Sequence, residues 1–171
     1  QQGIDYAARL YLDEGDTVIV EHPSYLGALN TFGALSAKYV SVAIDDHGMR
    51  MDALEDALKR HPEAKLIYTV PDFQNPTGIT LATDRRHQMV QLADRYDVMI
   101  IEDSPYFEIR FDGAFPPAIK SFDDCGRVIY LGSFSKTLCP GIRLGWVIAD
   151  DRLIERYRVL KEATDFQAGI F

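Results

Sequence analysis

Cysteine is scarce. Cys125 and Cys139 are the only two in 171 residues, too few for a disulfide framework and without the C-x-x-C spacing of zinc or redox sites, so they read as ordinary reduced thiols. Long apolar runs are missing as well: none approaches the roughly 20 residues of a membrane-spanning helix, and no secretory signal opens the chain. A cytoplasmic protein with no membrane association is the expectation. Basic charge is also short. The 18 lysines and arginines against 26 acids leave a net charge of -8, the wrong sign for neutralising a phosphate backbone, so no nucleic acid is expected as a partner of this domain. His22, His47, His61 and His87 include no pair at helical metal-ligand spacing, and no G-x-S-x-G elbow occurs, which sets aside metal and serine-hydrolase chemistry. Disorder is excluded by an apolar content of 47%, enough for a proper core. The chain opens Gln1-Gln2-Gly3 without Met, and Lys161 to Phe171 trail from a helical pattern with no stop signal. Both ends therefore read as cut from something longer.

What is present is alternation. Short β-branched and apolar runs at Thr17 to Glu21, Lys38 to Ile44, Lys65 to Val70, Val98 to Glu102, Arg127 to Gly132 and Leu144 to Ala149 predict strands. Between them Met51, Leu54 and Leu58, and then Met89, Leu92, Ala93 and Tyr96, follow helical spacing, with Glu55/Lys59 and Asp56/Arg60 as charge pairs on an outer face. Val98-Met99-Ile100-Ile101 is apolar on both faces, as a parallel strand covered by helices on each side must be. A three-layer αβα domain with a mostly parallel sheet follows. Only Ser133 to Arg143, which holds Pro140 and Gly141, separates the last two strands. That leaves little room for a crossover helix and predicts an antiparallel last strand. Phe111 to Asp124, with Gly113 and Pro116-Pro117, reads as a surface loop.

Ligands of an open parallel sheet gather at the carboxyl ends of its strands. Polar residues follow three of the predicted strands: Asp72-Phe73-Gln74-Asn75-Pro76-Thr77-Gly78, Asp103-Ser104-Pro105-Tyr106, and Ser133-Phe134-Ser135-Lys136. Each has a structural reading too, since Asn-Pro-Thr-Gly is a turn, Asp103 can cap the next segment and Ser133 can cap a helix. A phosphate-binding loop around Lys136 fails on its glycines, because Ser135 and Tyr130 stand where that pattern needs them.

Taken together, Asn75-Pro76-Thr77-Gly78, Asp103-x-x-Tyr106, Ser133-x-x-Lys136 and Arg143 occur in the order and at separations similar to those of fold-type-I pyridoxal-phosphate enzymes, the aspartate aminotransferase superfamily. The resemblance runs from Gln1-Gln2 through His22-Pro23-Ser24-Tyr25 to Trp146. Gln74 to Gly78 and Gly132 to Thr137 look closest to the 2-aminoadipate and aromatic aminotransferase subgroup. The resemblance implies pyridoxal 5'-phosphate as cofactor, amino acids and 2-oxo acids as substrates, and amino-group transfer through a lysine Schiff base. Lys136 resembles the Schiff-base lysine, which also shuttles the substrate proton. Asp103 resembles the partner of the pyridine nitrogen, and Asn75 and Tyr106 the pair that donates to the ring oxygen. Ser133, Ser135 and Arg143 resemble the phosphate grip, Gln1 at the start of the first predicted helix adds to it, and Tyr25 resembles the aromatic over the ring face. Trp146, inside a strand, is expected in the core.

The resemblance further implies that residues 1 to 171 form one cofactor-binding large domain, without the small C-terminal domain whose arginine grips the substrate carboxylate. A homodimer is implied for the intact protein. The rival readings are the aminotransferase-like effector domain of a transcriptional regulator, against which Asn75 argues, and a lyase or decarboxylase on the same fold.

Overall fold

Strands apolar on both sides need a covering layer on each face. The computed structural model, which describes residues 1–169, supplies both. Helix α1 (Gln2–Tyr11) is followed by β1 (Thr17–His22), α2 (Leu26–Gly33), β2 (Lys38–Asp45), β3 (Gly48–Met49), α3 (Met51–Arg60) and β4 (Leu66–Thr69). Then come α4 (Thr83–Arg95), β5 (Met99–Asp103), β6 (Val128–Ser133), β7 (Gly145–Ile148) and α5 (Asp151–Thr164). The trailing segment expected from Lys161 onward leaves the helix at Thr164, and Ile170 and Phe171 lie outside the described residues.

The strands form one sheet in the order β3-β2-β1-β4-β5-β6-β7. Its five inner strands are mutually parallel, and β3 and β7 close the edges antiparallel. The expected antiparallel last strand is thus observed, with Tyr130 opposite Ile148 and Ser133 opposite Gly145. Alternation sorts the core into two halves. Val18, Val20, Leu66, Tyr68, Ile101 and Leu131 meet α1, α2 and α5 on one face. Ile19, Ile67, Ile100 and Val128 meet α3 and α4 on the other.

Four details depart from the sequence reading. The β2–β3 hairpin was unforeseen because its second strand is Gly48–Met49 alone. Gly48 is required there: its φ is +90°, and a Cβ would lie 2.9 Å from Leu81 Cα. Tyr96 falls just past α4, and its hydroxyl donates to Glu55 at 3.2 Å. Glu55 and Lys59 do pair, at 3.5 Å, but Arg60 donates to the Asp56 backbone carbonyl instead of its carboxylate. Finally, the expected surface loop from Phe111 to Asp124 dips inward as a single helical turn, Ile119–Phe122, with Ile119 fully buried.

That loop is tied down by charge. Arg86 on α4 has no exposed surface. Its guanidinium donates to both oxygens of buried Asp72, at 2.9 and 3.2 Å, and to the carbonyls of Leu81, Pro71 and Pro117. The whole donor set of the arginine is used, which is the condition under which a buried charge is tolerated. Arg86→Leu should lower unfolding free energy by about 3–5 kcal/mol, because Asp72 would be left buried with only Arg110 as partner. Urea titration of the two proteins measures it, and a loss below about 1 kcal/mol would show that the pair is dispensable.

Candidate active site

Parallel strands place their carboxyl ends on one rim, and the register fixes what meets there. Asp103 ends β5 and is paired with Leu131 of β6, while Ser133 ends β6. Gln1, Asp103, Ser133, Ser135 and Arg143 line one cavity of about 1140 Å³, along with Thr31, Tyr157 and Trp146. Five of the nine predicted site residues therefore share a wall. Gln1 caps α1 by position, and its side-chain amide donates to Thr31 Oγ1 at 2.5 Å and to the Gly27 carbonyl at 3.3 Å. Ser133 Oγ accepts from the Ser135 amide at 3.1 Å. Arg143 is exposed, holds a left-handed backbone (φ 53°, ψ 36°), and donates to the Pro140 carbonyl at 3.0 Å.

Asp103 is the strand-end acid of this cavity, which Asp5 and Asp165 also line. Tyr68 donates to its Oδ2 at 2.7 Å, and its Oδ1 accepts no hydrogen bond among the described residues. Burial pushes the Asp103 carboxyl above the usual aspartate value, against the Tyr68 hydroxyl, which pulls it down. Tyr68 is driven well above the usual tyrosine range, first by burial and then by Asp103, so it stays protonated and its hydroxyl donates to that carboxyl.

Three other predicted residues, Asn75, Tyr106 and Lys136, form a second group. Asn75 Nδ2 donates to Tyr106 Oη at 3.3 Å, and Lys136 Nζ lies 5.9 Å from the centroid of the Tyr106 ring. Lys136 is exposed, whereas Asn75 and Tyr106 are half-buried. Tyr25 stands apart from both: its ring is folded over Gly27, where a Cβ would lie 2.4 Å from Tyr25 Cζ, and it packs against the α1/α2 side of the core. The combined rim offers a carboxylate with an open oxygen, hydroxyls and a guanidinium suited to an anion, and an amine near an amide and a phenol. Such a set fits a flat ring that carries a basic nitrogen at one side and an anionic arm at the other.

A family model described as aminotransferase class I and II matches residues 1–168. The chain belongs to that family. It is 41% identical to an aromatic-amino-acid aminotransferase of Thermococcus litoralis over 100% of this chain and 42% of that protein. A crystal structure of a kynurenine aminotransferase of Pyrococcus horikoshii, in complex with PMP, superposes with a TM-score of 0.95 and 43% identity over 98% of this chain and 42% of that one. An HTH-type transcriptional regulator of Bacillus subtilis, YisV, is 34% identical over 91% of this chain and 32% of that protein. The chain thus spans 42% of the length of the aminotransferases it matches.

Several residues of this aminotransferase-family domain escaped the sequence reading. Trp146, expected in the core, lines the cavity with its indole laid on Gly132, where a Cβ would lie 2.1 Å from the ring. The register that pairs Gly132 with Trp146 was the available signal. Tyr68 was hidden inside an apolar strand. Two buried acids lie beneath the rim. Glu21 accepts from Thr69 Oγ1, the Val70 amide and Gln74 Nε2, and Glu102 accepts from the amides of Ile119 and Lys120 at 2.8 Å each. Burial pushes each carboxyl up to about 7, although these donors pull the other way.

A carboxyl whose folded pKa is raised binds its proton more readily folded than unfolded, so its contribution is full below the unfolded value. It is lost as pH rises from about 4.5 to about 7. Unfolding free energy should therefore fall across that window, by up to about 3 kcal/mol per acid. The carboxyls held low, such as Asp45 and Asp52, act below it. Urea midpoints at pH 5 and pH 7.5 should differ in the native protein and differ less in Glu102→Gln. Equal slopes in the two proteins would exclude Glu102 as a source.

Proposed function

We propose that this chain is the cofactor-binding large domain of a pyridoxal-phosphate-dependent aminotransferase, which moves an amino group between an amino acid and a 2-oxo acid. The observation that carries the reading is Asp103, one oxygen held by Tyr68 and the other without a donor, on the wall of a cavity that also holds Ser133, Ser135 and Arg143. An acid and an anion grip on one wall match the two ends of a pyridine ring bearing a phosphate arm.

When bound, the cofactor supplies an electron-withdrawing ring that accepts the charge left on the substrate Cα as its proton departs. Asp103 would hold a proton on the ring nitrogen and so keep the ring electron-poor. Lys136, the amine of the rim, would anchor the cofactor through its amine between turnovers and would carry the proton to and from the substrate Cα. Asn75 and Tyr106 would donate to the ring oxygen. Arg143, Ser133, Ser135 and the amino end of α1 at Gln1 would hold the phosphate. Tyr25 would cover a ring face.

Substrate class follows the relatives: an aromatic or long-chain amino acid, by likeness to the aromatic-amino-acid and kynurenine aminotransferases. We place the protein in the cytoplasm as a homodimer that uses no nucleic acid. Support comes from the net charge of -8, from the lack of any described helix long and apolar enough to cross a membrane, and from Leu26 and Leu138, exposed at the rim and suited to a second copy. The likeness to a regulator keeps an effector-domain reading in view. Asn75, a ring-oxygen donor where an aromatic residue would stand in such regulators, favours the enzyme.

Borohydride treatment of the full-length protein loaded with pyridoxal phosphate should fix the cofactor to Lys136 alone, as read by peptide mass spectrometry. Label on any other lysine would remove Lys136 from the site. Asp103→Asn should keep the cofactor yet lose at least about 100-fold in transamination rate, because the ring nitrogen loses its charge partner. An undiminished rate would strip Asp103 of that role.

A further inference from the structure

Glu21 and Gln74 have no part in the proposed reaction, yet both are buried, with 3% of their surface exposed. Gln74 is engaged on every side. Its Nε2 donates to Glu21 Oε2 at 3.1 Å and to the Pro23 carbonyl at 2.8 Å, while its Oε1 accepts from the Thr77 amide and hydroxyl at 3.1 and 2.7 Å. Its backbone carbonyl accepts from Gly78 at 2.6 Å. The side chain thus ties the loop after β1 to the turn after β4. Its next neighbour in sequence is Asn75, the donor to Tyr106.

What holds Gln74 is Glu21. Oε1 takes the Thr69 hydroxyl at 2.7 Å, and Oε2 takes the Val70 amide at 3.2 Å together with Gln74. Val70 and Gln74 converge on Oε2 and both need an acceptor there, while the Thr69 hydroxyl at Oε1 can turn to donate or accept. An apolar side chain at position 21 would leave the Val70 amide and one Gln74 donor buried without that acceptor.

We propose that Glu21 is a positioning residue: through Gln74 it fixes the Asn75–Tyr106 pair where that pair meets the ring oxygen of the bound cofactor. The inference rests on the aminotransferase reading for the identity of that ring, and on the hydrogen-bond chain alone for the tie between Glu21 and the Gln74 to Gly78 turn. A donor withdrawn from the ring oxygen leaves more negative charge there, and that charge holds the neighbouring lysine-nitrogen proton more firmly. The pH midpoint of the cofactor's visible band must then rise.

The test uses full-length protein with Glu21→Leu, Gln74→Leu, both together, and Ile19→Val as a control on the same strand face. Without cofactor, amide hydrogen exchange at Thr77 and Gly78 should quicken about tenfold in Glu21→Leu and remain native in Ile19→Val. With pyridoxal phosphate bound, each of the two site variants should raise the visible-band midpoint by about half a pH unit or more, and the double variant should add nothing, since both act along one path. A native midpoint in Glu21→Leu, additive shifts in the double variant, or an equal shift in Ile19→Val would overturn the proposal. A native protein that shows no visible band with pyridoxal phosphate would overturn the aminotransferase reading itself. The exchange rates would then judge the Glu21–Gln74 tie separately, with unchanged rates overturning it.

Discussion

Charge sunk beneath the rim of the sheet is the constraint on which the rest of the domain depends. Parallel strands satisfy their own amides and carbonyls, but the loops that leave their carboxyl ends do not, and every buried polar group among them needs a partner. Arg86 collects loop carbonyls from Pro71, Leu81 and Pro117. Glu102 collects amides from Ile119 and Lys120, and Glu21 takes one from Val70. Asp72 joins Arg86 to Arg110, whose guanidinium also lies 4.6 Å from the Phe73 ring centroid. Each of these charges is costly to bury and tolerable only because loop backbone completes its bonding. The dependence is mutual. The loops are ordered because the charges need them.

These anchors lie on one side of the sheet and the cavity wall formed by Asp103 on the other, an arrangement that follows from strand alternation. Along β5, Ile100 and Glu102 point toward α4, whereas Ile101 and Asp103 point toward α1. Adjacent acids thus receive opposite assignments: Glu102 clamps a loop and Asp103 lines the cavity. Burial raises both, but only Asp103 keeps an oxygen without a donor. Two neighbouring carboxyls are told apart by the face each points to, with no difference in residue type beyond one methylene.

Much of this was legible in the sequence, and the part that was not has a physical reason. Strand runs such as Val98 to Glu102 and the short link from Ser133 to Arg143 announced the parallel sheet and its antiparallel close, because periodicity and connection length are local properties. Asp103 and Ser133 could be named because a polar residue at a strand end predicts its own placement, whereas Arg143 came through the family resemblance. Trp146 could not be moved from core to cavity wall without knowing that it would face Gly132. The inward dip at Ile119 depends on Glu102, 17 residues earlier. Glu21 reads as an interruption in an apolar strand until its three donors, all at least 48 residues away, are in view. Long-range hydrogen bonding leaves no periodic trace.

The site residues themselves divide by what holds them. Asp103 and Ser133 end strands whose register is pinned by two packed faces, and a slip of one residue would turn every side chain of β5 to the wrong layer. Asn75, Tyr106 and Lys136 sit on loops outside the strand ladder, held by local turn bonds such as Gly78 to the Gln74 carbonyl and Leu138 to the Phe134 carbonyl, and by side-chain contacts. The first group is therefore set by the core and is insensitive to anything short of unfolding. The second can be adjusted by small changes in buried polar contacts that leave the sheet untouched. For the ring of the proposed cofactor, the rigid wall would then govern binding and the loops would govern orientation.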